Sequence, residues 1–102
     1  MASVLVLYNQ PADPAAFDEH YKNVHIPIAK KLTGLRSFRV SKGHVRAGEG
    51  ESPYYYVAEL IFDSMEDLRA ALRSPEMQEA AADLPKFASG GVTVLRYDTE
   101  EV

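Results

Sequence analysis

The apolar and polar positions along the chain change period repeatedly, and each change marks an expected element. Val4-Leu5-Val6-Leu7-Tyr8 is apolar at every position and ends at Asn9-Gln10-Pro11. That reads as a short strand with both faces covered. Asp13-Pro14 pairs an N-cap residue with a proline suited to the first helical turn. Phe17, Tyr21, Val24, Ile28 and Leu32 then recur at three- and four-residue steps, which predicts an amphipathic helix with Glu19, Lys22, Asn23 and Lys30 on its far side. Leu35 to Ser41 alternates, as a strand with one wet face does, and the polar, glycine-bearing stretch from Lys42 to Pro53 reads as a mobile β-hairpin loop. Tyr54 to Phe62 is the strongest strand signal, aromatic and apolar apart from Glu59. Ser64-Met65-Glu66-Asp67 matches a capping box with Asp67 in the usual Glu or Gln position, and Ser74-Pro75-Glu76 repeats a helix start. A second helix in two pieces follows, with Leu68, Ala71, Leu72, Met77, Ala80, Ala81 and Leu84 inward and Pro85 at its end. Gly90-Gly91 turns into a last strand, Val92 to Tyr97, and Glu100 to Val102 is expected to fray.

The resulting order, β-α-β-β-α-β, is the ferredoxin-like α+β arrangement: one domain over residues 1–102, four antiparallel strands and two helices on one face. The first and third strands, Val4 to Tyr8 and Tyr54 to Phe62, are apolar on both sides, so the bare face needs a cover. A second copy of the same sheet supplies one through a twofold contact, which predicts a homodimer.

Composition removes several classes of function. The 102 residues carry a net charge of −4 without a basic run, so no nucleic acid partner is expected. There is no cysteine, which excludes disulfides and thiolate chemistry. The apolar run near Met1 is too short for a signal peptide or a membrane span, so a soluble cytoplasmic protein is the default expectation. No phosphate-binding glycine loop and no nucleophilic serine motif occurs.

The candidate chemistry centres on His25. On a regular helix it lies about 60° from the centre of the apolar stripe, at the rim of the buried face. Pro27 is expected to kink or restart the helix beside it and to push Ile26 off helical dihedrals. His25 reads either as a general acid/base facing a pocket or as a structural residue whose ring binds backbone groups freed by Pro27. Tyr21, four residues earlier, shares its face and is either its partner or part of the core stripe. Glu59 is a pocket carboxylate or the ion-pair partner of Arg39 or Arg96. Asn9, Tyr8 and Tyr56 are further candidates for contacts to a ligand. A metal site is not expected: His20 and His25, five apart, diverge by roughly 140° on a regular helix.

Phe17-x-x-x-Tyr21-x-x-x-His25-x-Pro27 after a strand, with Leu35 and Phe38 beyond, resembles the EthD family of the dimeric α+β barrel superfamily. Asp83-Leu84-Pro85-Lys86-Phe87 fits the superfamily's exit from the second helix. The resemblance spans nearly the whole chain. It implies paired sheets forming a central barrel with a small hydrophobic cavity between helices and sheet. Relatives include enzymes and presumed enzymes acting on aromatic or polyketide-like molecules, often without metal or organic cofactor. Haem-degrading and quinone-forming relatives use a tryptophan, which this chain lacks. The leading expectation is therefore a cofactor-free protein that binds a small apolar or aromatic molecule and moves a proton with His25, assisted by Tyr21, in isomerisation, cyclisation or decarboxylation. The alternative is a ligand-binding accessory to an oxygenase or degradation pathway. A structural dimer without a cavity ranks below both.

Overall fold

A computed structural model describes all residues, 1–102. Its main sheet is built from β1 (Ala2–Asn9), β2 (Leu35–Val40), β5 (Tyr54–Phe62) and β6 (Val92–Asp98), in the order β2-β5-β1-β6 with every pair antiparallel. β3 (Arg46–Ala47) and β4 (Gly50–Glu51) close the expected hairpin between β2 and β5 as a separate two-stranded ribbon. This is the ferredoxin-like order read from the sequence.

Helices lie on one face only. Asp13 caps α1 (Pro14–His20) by accepting from the Ala16 N–H, as the Asp-Pro pair predicts. The chain then passes through one wide turn, Tyr21–His25, and continues as α2 (Ile26–Ala29). The second helical layer is α3 (Met65–Leu72) and α4 (Pro75–Asp83), ending in a tight turn over Leu84–Lys86. Ser64 and Ser74 cap these two pieces through their hydroxyl oxygens. The break between them is therefore written into the sequence at Ser74-Pro75.

The wide turn changes the face that the first helix buries. Its i→i+5 bonding, from the Ile26 N–H to the Tyr21 carbonyl, uses one residue more than an α-turn. Phe17, Tyr21, His25, Ala29 and Leu32 are buried, whereas Val24 faces solvent. The regular-helix expectation of Val24 in the stripe and His25 at its rim is thus corrected. Ile26 also stays helical, at φ −56°, rather than leaving the helix ahead of Pro27. A proline ring clashes with the carbonyl four residues back. The widened turn moves that carbonyl aside, so the helix continues without a break.

β1 alternates strictly: Ala2, Val4, Val6 and Tyr8 are buried under the helices, and the intervening residues are half-buried. Both faces of this strand are apolar, but the single chain covers only one. The open face carries Leu5 and Leu7 beside Val57, Ile61, Leu95 and Tyr97, as the strand register requires. No helix is long and apolar enough to cross a membrane.

Candidate active site

Two histidines and one carboxylate meet at the wide turn. His25 Nδ1 lies 3.0 Å from Asp83 Oδ2, and His20 Nε2 lies 2.9 Å from Asp83 Oδ1. Asp83 stands at the last position of α4, 3% exposed, and His25 is 6% exposed. A buried carboxylate needs compensation, and the two imidazoles supply it. Burial pushes the Asp83 carboxyl up, yet the hydrogen bonds from His20 and His25 together bring it below its ordinary value. Burial is also the main influence on His25 and holds it below its ordinary value despite Asp83. At neutral pH His25 is therefore neutral. An ionised carboxylate only accepts, so Nδ1 carries the ring proton and Nε2 the lone pair.

Nε2 has no hydrogen-bond partner in the protein, and no fully buried side-chain nitrogen or oxygen lacks one, so Nε2 opens onto free space. The structural reading of His25 expected backbone partners for its ring; the partner of Nδ1 is a side chain from the other helical layer instead.

His25 and Tyr21 line a cavity of about 220 Å³ between the helices and the sheet. Fifteen of its 16 lining residues are hydrophobic, among them Tyr8, Phe38, Leu60 and Met77, which leaves the imidazole as its principal polar feature. An aromatic cluster forms the adjoining wall. Tyr21 packs 5.2 Å from the His25 ring, 5.5 Å from Tyr8 and 4.8 Å from Tyr56. Phe87 lies 4.8 Å from His25 and 5.2 Å from His20. Burial raises the phenols of Tyr8 and Tyr21 well above the ordinary range, so both keep their protons at neutral pH and can only offer a neutral O–H. Beyond Tyr21 lies an open cleft of about 570 Å³ against the β3–β4 hairpin, lined by Tyr54, Tyr55 and Tyr56 among others.

The remaining sequence candidates separate. Tyr8 is in the cavity wall, and Tyr56 adjoins it from the outer cleft. The register shift opposite Tyr8 and Asn9 places Tyr55 and Tyr56 on the same side, both against Phe17, where strict alternation would have split them. Glu59 is not a pocket residue: it lies on the open face of the sheet and accepts from Arg39 at 3.0 Å. Asn9 is not one either. Its side-chain amide donates to the Gly90 carbonyl at 3.1 Å and ties the end of β1 to the turn before β6.

Asp83, His20 and Phe87 are the site members that the search for chemistry did not single out. Asp83 carried a readable signal, since it is a carboxylate on the inward side of a helix whose Met77, Ala80 and Leu84 point the same way. His20 carried none, because on a regular helix it points away from His25. No group of three His, Asp, Glu or Cys side chains is arranged to hold a metal ion.

Comparison with known proteins places this site in a family. A model described as EthD domain matches residues 9–91. An uncharacterized 11.0 kDa protein in the thcB–thcC intergenic region of Rhodococcus erythropolis is 45% identical over 102 residues, covering 100% of this chain and 98% of that one. The crystal structure of an EthD family protein from Bacillus halodurans superposes with a TM-score of 0.88 at 37% identity, covering 98% and 99% of the two chains. At 16% identity, a hydroxynitrile lyase from Passiflora edulis shares the fold, with a TM-score of 0.74 and coverage of 99% and 95%. The family match takes in α1, the wide turn and Asp83 together, and the two closer relatives align along almost the entire chain: this protein belongs to the EthD family.

Proposed function

We propose that the cavity binds a small, mostly apolar organic molecule and that His25 is the general base acting on it, without a metal or organic cofactor. The observation that carries this reading is the buried Asp83–His25 bond beside an apolar cavity, with Nε2 unpartnered. Nε2 takes a proton from a phenol or an activated C–H. The imidazolium so formed keeps its Nδ1–H on the Asp83 carboxylate, whose charge stabilises it. Return of the proton at another atom completes an isomerisation, a cyclisation or the final step of a decarboxylation. Tyr21, protonated throughout, donates to Tyr8, which leaves the Tyr8 O–H to donate to an oxygen that gains charge. The volume suits one aromatic ring, since cavities of about 150 Å³ admit benzene.

The test is hydrogen–deuterium exchange on a panel of enolisable ketones and phenols followed by NMR. Wild type accelerates exchange at the acidic position of a bound compound; His25→Ala binds it and does not. Equal exchange by both proteins removes the catalytic assignment. The hydrophobic lining favours a second reading, a carrier that holds such a molecule for a partner enzyme. That reading predicts binding without exchange in either protein.

The open face of the sheet supports a homodimer. Leu95 is 45% exposed and Tyr97 43%, beside half-buried Leu5 and Leu7, a contiguous apolar surface that a second copy would cover.

A further inference from the structure

The proton transfer assigned to His25 leaves one member of the cluster without a role. His20 does not line the apolar cavity, yet it holds Asp83 Oδ1 at 2.9 Å while His25 holds Oδ2 at 3.0 Å. A carboxylate held at one oxygen can turn about its last side-chain bond and release the imidazole. Held at both, it is fixed. The His20 ring is itself fixed, lying nearly parallel to Phe87 at 5.2 Å and 20°, and Phe87 also bears on His25. The side chain of His20 is 25% exposed whereas that of Asp83 is 3% exposed, so the three groups run from solvent to the cavity wall. The wide turn is what brings these two histidines, five residues apart, onto one carboxylate.

We propose that His20 is a positioning residue for His25. By holding Oδ1 it locks Asp83, so that Oδ2 keeps the ring proton on Nδ1 and Nε2 faces the cavity as the base. The inference rests on the reading of His25 as a base. The other titratable groups facing the cluster are Tyr21 from the wide turn and Tyr8 from β1, and both remain protonated at neutral pH.

Nitrogen NMR of the imidazoles in the ligand-free protein, from about pH 4 to 9, tests the linkage directly. Wild type shows His25 as the Nδ1–H tautomer. In His20→Phe, which keeps the ring stack but offers no donor, Asp83 is free to turn away from Nδ1 and the tautomer becomes mixed. In His20→Gln the amide can still donate to Oδ1, so the Nδ1–H tautomer is retained. An unchanged His25 tautomer in His20→Phe overturns the proposal. If that variant does not fold, His20→Ala takes its place, and an unchanged tautomer there overturns it equally. No ligand is needed, so this failure is distinct from failure of the exchange experiment.

Discussion

At the scale of single residues, the cluster at Asp83 couples chemistry to stability. The folded-state value of His25 lies below its ordinary 6.5, so below that pH the unfolded chain binds a proton that the folded chain resists. Asp83 lies below its ordinary 3.8, so its contribution is present above that value and lost as pH falls through the lower folded value. Both effects have the same sign. Stability should fall as pH drops below about 6.5 and fall further in the range where Asp83 protonates; urea unfolding at a series of pH values measures this. His25→Gln should remove the upper part of the decline and leave the lower part. Asp83→Asn tests the orientation of the ring. An amide can donate to Nδ1, which moves the proton to Nε2 and abolishes the base, so exchange activity should drop by roughly 10²–10⁴-fold while ligand affinity changes far less.

At the scale of elements, the first helix and the two-piece second helix follow different logic. Ser74 ends one piece and starts the next, donating its hydroxyl to the Ala71 carbonyl and accepting from the Met77 N–H. Ser74→Ala should cost about 1 kcal/mol in denaturant unfolding, typical of a lost cap. Gly90 meets a stricter demand. A Cβ there would run into the Gln10 carbonyl where the turn before β6 passes the end of β1. Gly90→Ala should therefore force the two segments apart at a cost of about 1–3 kcal/mol and loosen the Asn9 anchor, visible as lost amide protection at the Asn9–Gly91 bond. The strands, the capped starts and the turn at Gly90-Gly91 were legible because each depends on neighbours in sequence. The wide turn was not. Nothing local marks Tyr21–His25 as other than α-helix, and Pro27 suggested a kink that the i→i+5 bond makes unnecessary.

At the scale of the whole molecule, a slab 18 Å thick has one helical layer, one sheet and one bare side. β6 is exposed along almost its whole length, since the helices do not reach over it. Leu95→Glu sets a charge on the open face beside Leu5 while leaving the helix-side cavity untouched. Sedimentation at micromolar concentration should show wild type as a dimer and Leu95→Glu as a monomer. A monomeric wild type would remove the assembly from the reading of this protein.

The order of elements, the one-sided placement of the helices and the choice of His25 and Tyr21 follow from the sequence, because period, caps and turns act over a few residues. Tertiary structure decided what those residues face. It placed Asp83, 58 residues from His25, against the imidazole. It turned His20 onto the same carboxylate and sent Glu59 to Arg39 and Asn9 to Gly90. Each of these pairings depends on the distance between separate elements and on which side of a turn a side chain leaves the helix. A single added residue per turn changes that side, and no local pattern in the chain records it.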